Sequence, residues 1–154
     1  MRTVLATLVL AAACGGGEST PDAEVVNCAT ETRDDTFVVG LEKAGDAGML
    51  DYKLISADPA PPARNDNTWV IQINAMSGGV VGAPVTGATV GVTPFMPDHQ
   101  HGAGKSVVIT PLANPGQYQL APINMWMPGL WETTIDATSA SGNDTVVFRF
   151  CIPS

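Results

Sequence analysis

Nitrogen and sulfur side chains that bind soft metal ions are concentrated in two short stretches of the chain. Both histidines lie between residues 95 and 101, and two further methionines lie between residues 124 and 131. Copper takes both donor types, since Cu(I) accepts imidazole and thioether whereas Cu(II) prefers nitrogen. The spacing therefore predicts a copper site if the fold joins the two stretches. The candidate ligands are His99, His101, Met96, Met125 and Met127.

The same residues also suit a purely structural role. Methionine fills gaps beside aromatic rings, and Trp126 and Trp131 are close in sequence. A histidine in a proline-containing loop often bonds only to backbone groups. Asp98 is the expected acceptor for a histidine N–H if the site holds a metal. The residues alone leave both interpretations open.

Alternating apolar and polar side chains predict strands along most of the chain, separated by Gly- and Pro-rich turns. The pattern predicts an all-β, immunoglobulin-like Greek-key β-sandwich of about seven to eight strands. Gly116 and Tyr118 resemble the tyrosine corner of such sandwiches. The predicted strands lie at 36–41, 50–54, 68–75, 87–94, 106–112, 118–123, 131–135 and 146–150, with turns at 77–79 and 82–84 and a proline-rich loop at 58–67.

Strand order determines whether the two metal-binding stretches meet. The chain leaves the first stretch along 106–112 and returns along 118–123. An antiparallel pair of similar length brings the chain back to its starting end. Residues 96–101 and 124–129 are therefore predicted to lie at the same end of the sandwich. In extended chain, residues two apart face the same way, which favours convergence within each stretch.

The N-terminus has the features of a bacterial lipoprotein. Residues 1–13 combine a positive start with an apolar run and are predicted to be a signal peptide. Small residues precede Cys14, which is the predicted lipidation site, and the rest of 14–27 is a flexible tether to a domain at 28–154. The expected location is the periplasmic side of a bacterial membrane, with the outer membrane favoured by Gly15. An ordinary secreted protein with an unlipidated Cys14 is the alternative.

Charge and cysteine content narrow the function further. Without residues 1–13 the chain has six basic and fifteen acidic residues, a net charge of −9. So acidic a chain is a poor ligand for nucleic acid.

With Cys14 lipidated, Cys28 and Cys151 remain as an even pair in an oxidising compartment, which predicts a disulfide. A cysteine ligand or a reactive thiol is the alternative.

Several motifs in order resemble the YtkA-like domain family, which is related to FixH-like proteins. They are Phe95-Met96-Pro97-Asp98-His99-x-His101, Gly116-x-Tyr118, Met127-Pro128-Gly129-Leu130-Trp131-Glu132, the proline-rich run that begins at Asp58 and is followed by Asn67-Thr68-Trp69, and Phe148-Arg149-Phe150-Cys151. The resemblance spans about residues 35–152. It implies an exported sandwich on a lipoprotein or membrane anchor, and FixH-like relatives imply an association with copper. Since the family pattern tolerates other residues near position 101, it implies His99 more strongly as a ligand.

Two functions fit these features. The first is a lipid-anchored protein that binds or delivers copper through the His/Met end of the sandwich. The second is a non-enzymatic module without metal, which docks an envelope protein through its Met/Trp end. We expect no enzymatic activity, because the sequence contains no HExxH, no Gly-rich phosphate loop and no supported Ser/His/Asp arrangement.

Overall fold

The chain forms two antiparallel sheets that pack face to face, which confirms the all-β sandwich. The computed structural model describes residues 26–154. A 3-10 helix, Cys28–Thr30, precedes the strands. The strands are β1 (Glu42–Ala44), β2 (Leu50–Asp58), β3 (Asn65–Ser77), β4 (Val80–Pro84), β5 (Thr89–Met96), β6 (His101–Gly102), β7 (Val108–Pro111), β8 (Gln117–Met125), β9 (Gly129–Ser139) and β10 (Gly142–Ile152).

Alternating side chains supply the core from both sheets. In β3, Trp69, Ile71 and Ile73 are fully buried, as their spacing predicts, while the residues between them face outward. Trp69 meets Phe148 and Phe150 of the opposite sheet edge-on, at centroid distances of 6.3 and 5.4 Å. Such edge-to-face contacts add to the stability gained by burying apolar area.

Sheet order places the two stretches of candidate metal ligands together. One sheet has the order β1-β2-β3-β8-β7, with β4 also paired to β3, and the other has the order β10-β9-β5-β6. The predicted antiparallel pairing of β7 with β8 is confirmed, with Val108 opposite Ala121 and Pro111 opposite Tyr118. As a result the end of β5 and the end of β8 lie at the same end of the sandwich, where the His101 ring stacks on Trp126.

The number and limits of the strands differ from the prediction. Within residues 26–154 ten strands form rather than seven or eight, partly because 82–84 is the end of β4 and not a turn. Segment 36–41 forms no strand, although Phe37 packs edge-on against Phe150. The strand of the N-terminal hairpin is β1 instead, which pairs with β2. Both errors arise because a backbone ladder needs a partner edge, which local composition does not reveal.

Tyr118 bonds to a different segment from the one that a tyrosine corner uses. Its hydroxyl donates to the Val85 carbonyl at 3.2 Å and accepts from the Ala88 amide at 3.0 Å. These groups lie 33 and 30 positions upstream, in the connection from β4 to β5. The buried tyrosine therefore fixes the crossing between the two sheets.

The predicted disulfide is confirmed between Cys28 and Cys151. It attaches the N-terminal segment to β10, and the Asp35 amide adds a hydrogen bond to the Arg149 carbonyl. The signal peptide 1–13, the lipidation site Cys14 and most of the tether lie outside the described residues. Within residues 26–154, no helix is long and apolar enough to cross a membrane.

A buried carboxylate holds the end of the sandwich opposite the histidines. Asp144 accepts hydrogen bonds from the amides of Ala47, Met49, Leu50 and Thr145, at 2.8–2.9 Å. Burial by itself raises the pKa of Asp144, but these four amides outweigh it and bring the pKa below its usual value. The carboxylate thereby fixes the turn between β1 and β2 to the start of β10.

We predict that Asp144→Asn lowers the free energy of unfolding at pH 7 by about 2 to 3 kcal/mol, because the amides lose an anionic acceptor. Since the folded pKa is depressed, this stabilisation is present above about pH 4 and is lost as the pH falls through the folded pKa. Urea unfolding followed by tryptophan fluorescence at pH 7 and at about pH 3 measures both effects. The exposed Asp136→Asn is the matched control, and equal losses in the two variants would contradict the prediction.

The disulfide closes a loop between residues 123 positions apart. We predict that the double variant Cys28→Ser/Cys151→Ser loses about 4 kcal/mol of stability, mainly through the greater freedom of its unfolded chain. Chemical denaturation of the oxidised parent and the variant measures the difference. A loss below about 1 kcal/mol would show that the bridge constrains the unfolded chain far less than its loop length requires.

Candidate metal centre

A tight turn joins the two strands that position the histidines. Met96 of β5 pairs with His101 of β6, and residues 97–100 form the turn between them. Gln100 has a φ of 54°, in the left-handed region, and its side-chain amide donates to the Pro97 carbonyl. His99 therefore lies in a turn and not in the extended chain that the sequence analysis assumed. The two imidazoles approach each other because the chain reverses there.

One ring nitrogen of His101 forms a hydrogen bond, and the other has no hydrogen-bond partner among the described residues. Its Nδ1 lies 3.1 Å from the Gly102 carbonyl oxygen. A carbonyl only accepts, so Nδ1 carries the proton and donates it. Nε2 is buried and has no hydrogen-bond partner among the described residues. In the neutral ring this nitrogen holds a lone pair.

Two tryptophans enclose the His101 ring. Trp126 stacks on it at a centroid distance of 5.1 Å and an interplanar angle of 25°. Trp131 contacts the imidazole edge-on at a centroid distance of 5.9 Å. Its indole N–H donates a hydrogen bond to the Met127 carbonyl at 2.9 Å. Trp131 is fully buried, whereas Trp126 is 42% exposed. The imidazole is therefore sheltered between a core residue and a surface residue.

The two histidine rings are neighbours, with centroids 5.9 Å apart and planes inclined at 55°. His99 is exposed and lines a cleft of about 370 Å³. Met96 and Cys151 line the same cleft, which lies between the N-terminal segment and the sheet of β5, β9 and β10. A Cβ at Gly129, whose φ is 128°, would collide with Met96 Cε, so glycine at this position gives the methionine its room.

The expected role of Asp98 is not supported, because this carboxylate pairs with an arginine. Arg33 donates to both oxygens of Asp98, at 2.7 and 2.8 Å, and also to Glu31. These bonds lower the pKa of Asp98 and bring the pKa of Glu31 to about 2. Arg33 thus pairs with both carboxylates beside His99, and its contact with Asp98 spans 65 positions in sequence and has no local signal.

The methionines of the predicted ligand set are in different environments. Met125, at the end of β8, is fully buried and belongs to the hydrophobic core. Met96 is 1% exposed and belongs to the same core, yet it also forms part of the cleft wall beside His99. Met127 is partly buried against the core. The structure thus places Met96 with His99, while Met125 has the surroundings of a packing residue.

A polar network that was not predicted from the sequence holds the loops around the site in place. Asp66 binds Lys105 and the side-chain amide of Asn124, both at 2.6 Å, which ties β3, the segment before β7 and the end of β8 together. Arg64 donates from Nε to the Trp126 carbonyl at 3.2 Å. The only local signal for these contacts is the polar run at 64–67, which by itself indicates a loop.

Among residues 26–154, no three His, Cys, Asp or Glu side chains form a group that could hold a metal ion. A metal centre at this end of the sandwich therefore needs a donor of another kind beside the two histidines. Methionine sulfur is the donor that the surrounding residues offer.

A family model described as YtkA-like matches residues 46–136, more than half of the chain. The chain belongs to the YtkA-like family. The matched span of the YtkA-like domain includes both histidines and all three methionines of the candidate site, and excludes both disulfide cysteines. No curated protein matches the chain.

Solved structures of FetP from uropathogenic Escherichia coli resemble this YtkA-like domain weakly. A copper-bound FetP variant is 14% identical, with 74% of this chain and 95% of that chain covered and a TM-score of 0.49. FetP as isolated after expression in the periplasm is 15% identical, with 74% and 98% covered and a TM-score of 0.45. A likeness of this degree carries no conclusion about the ligand of the present chain.

We predict that neutral His101 exists as the Nδ1–H tautomer, because the Gly102 carbonyl accepts that proton. The ¹⁵N chemical shifts of the two ring nitrogens, measured with ring-labelled protein in which the histidines are neutral, identify the tautomer. His99 serves as the reference within the same sample, since its ring nitrogens have no hydrogen bond among the described residues. A protonated Nε2 in neutral His101 would contradict the prediction.

Proposed function

We propose that this YtkA-like protein is exported and anchored by lipid at Cys14, and that it binds copper through His99, His101 and Met96. The unpartnered Nε2 of His101 is the observation that carries the proposal. A ligating histidine commonly donates its other ring N–H to a backbone carbonyl, which orients the ring and makes it more basic. His101 already has this arrangement with Gly102.

The distance between the two rings supports a shared ion. With metal–nitrogen bonds of about 2 Å, and each centroid roughly 1.1 Å behind its nitrogen, two imidazoles on one ion have centroids at most about 6.2 Å apart. The observed separation of His99 and His101 is 5.9 Å. His99 is exposed, so its side chain has room to reorient toward His101.

Sulfur from Met96 supports copper over other metals. The thioether lies in the wall of the cleft that His99 lines, and no histidine, cysteine or carboxylate completes a group of three in the described part of the chain. Two imidazoles with one thioether suit Cu(I), whereas zinc sites usually draw on cysteine, histidine and carboxylate. Met127 is a second available thioether at the rim of the core. We assign Met125 a packing role.

Export and anchoring are supported by features at both ends of the chain. Residues 1–14 have the signal-peptide pattern with a lipidation cysteine. The disulfide between Cys28 and Cys151 belongs in an oxidising compartment. In this proposal the protein binds the ion or hands it over, without catalysing a reaction.

We predict that the chain lacking residues 1–14 binds Cu(I) with a submicromolar Kd in titrations against a competing chelator. His99→Ala and His101→Ala should each weaken binding by about tenfold or more, since each removes one donor. Met96→Leu keeps the side-chain volume but removes the sulfur, so we expect about tenfold weaker Cu(I) binding and a Cu(II) affinity within about threefold of the parent.

Met125→Leu is the matched control, because it makes the same chemical change within the core and should leave copper affinity within about twofold. Circular dichroism verifies that each variant is folded. A parent affinity weaker than micromolar would refute the copper proposal, and so would unchanged binding in both histidine variants.

A further inference from the structure

The chain enters the sandwich at the end that holds the candidate metal centre. Val26, the first described residue, lines the cleft together with His99, and its amide donates to the Ser154 hydroxyl at 3.2 Å. The proposed lipid anchor therefore leads directly to this end of the domain. The opposite end, around Asp144, lies a full strand length away.

The lengths involved favour one orientation. Twelve peptide steps separate Cys14 from Val26, which span at most about 43 Å when fully extended. The 11 residues of β10 span about 36 Å of the sandwich. The tether therefore limits the distance of the cleft end from the bilayer to little more than one strand length, whereas the opposite end is held only through the domain.

The surface at the cleft end suits the polar region of a bilayer. Trp126 is 42% exposed, whereas Trp69 and Trp131 are fully buried. Arg64 is exposed beside it, bonds to the Trp126 carbonyl, and has no ion-pair partner within residues 26–154. Tryptophan and arginine are the residues that settle at the level of lipid headgroups, since both combine an apolar body with a polar tip.

Charge at the opposite end favours the same orientation. A surface depression there is lined by Asp46, Asp136 and Asp144 and by no basic residue. Anionic headgroups repel such a surface, and an end that exposes Arg64 is the better neighbour for them. The tether, the exposed aromatic surface and the charge distribution thus favour the same orientation, with the cleft end toward the bilayer.

We infer that Trp126 and Arg64 contact the lipid headgroup region of the bilayer that holds Cys14, so that the His99 cleft faces the membrane. The inference rests on the proposed lipid anchor, but it does not depend on copper. Its consequence is that a ligand of the cleft exchanges at the membrane surface, and the acidic end faces away from it.

The test uses the full chain, processed and lipidated in a bacterial host and reconstituted into phosphatidylcholine vesicles that carry a nitroxide on some headgroups. Nitroxide quenches nearby indole fluorescence. Trp126→Phe gives the background from the two buried tryptophans. Trp126→Phe/Thr138→Trp moves the reporter to an exposed position at the acidic end. We expect quenching in the parent at least about threefold stronger than in this double variant.

Further outcomes test the orientation and the tether argument separately. Equal or stronger quenching of the tryptophan introduced at position 138 would overturn the inference, as would vesicle-bound protein in which neither reporter is quenched. An insertion of about twenty Gly/Ser residues after Gly17 should reduce quenching of Trp126, because the longer tether relaxes the orientation. Unchanged quenching after the insertion would refute the tether argument.

Flotation with the vesicles, compared with Cys14→Ser, separates this inference from the proposed function. Failure of the parent chain to float would overturn the anchor and the orientation together, while the copper titrations remain a separate result. Flotation of the parent with quenching at the wrong end would overturn the orientation alone.

Discussion

Contact between Trp69 and two phenylalanines sets the relative position of the sheets on which the candidate site depends. Trp69 belongs to one sheet, and Phe148 and Phe150 belong to the other, with interplanar angles of 81° and 83°. The site takes Trp126 from beyond the end of one sheet and His101 from the edge of the other. A sliding of the sheets by one residue would move these rings about 3.3 Å apart along the strands. The packing of the core therefore also fixes the positions of the two rings in the candidate site.

The core could be predicted from the sequence because alternation reports directly on burial. Trp69, Ile71 and Ile73 are apolar at every second position, and that pattern has a single good solution in a two-layer sandwich. β4 had no such signal, since all its residues are exposed and it contains Gly82 and Pro84. It forms a strand because β3 is long enough to offer it a free edge. Whether a segment finds a strand partner depends on the whole fold. The local sequence at 82–84 therefore indicates only a turn.

The candidate site was predictable in its residue types and its location, but not in its hydrogen bonding. The histidines stood out by chemistry, and the pairing of β7 with β8 followed from their lengths. The donation from His101 Nδ1 to Gly102 and the stacking on Trp126 depend on a four-residue turn whose shape is fixed by Gln100. Arg33 reaches Asp98 only because the disulfide brings the N-terminal segment to β10. Contacts of this kind combine several long-range constraints, and a linear pattern does not encode them.

Carboxylate pairing at the cleft leaves neutral donors for an ion at the proposed site, and neutral imidazole and thioether donors suit the lower oxidation state of copper. Arg33 occupies both Asp98 and Glu31, so the donors left for an ion are neutral imidazoles and a thioether. Burying a charge beside a core costs energy that grows with the square of the charge, so a divalent ion pays about four times the desolvation cost of a monovalent one. A free carboxylate would offset that cost for Cu(II), and in the described part of the chain both carboxylates of the cleft are paired with Arg33. The arginine would thus act on selectivity without touching the ion, because it occupies the carboxylates that a divalent metal would otherwise use as ligands.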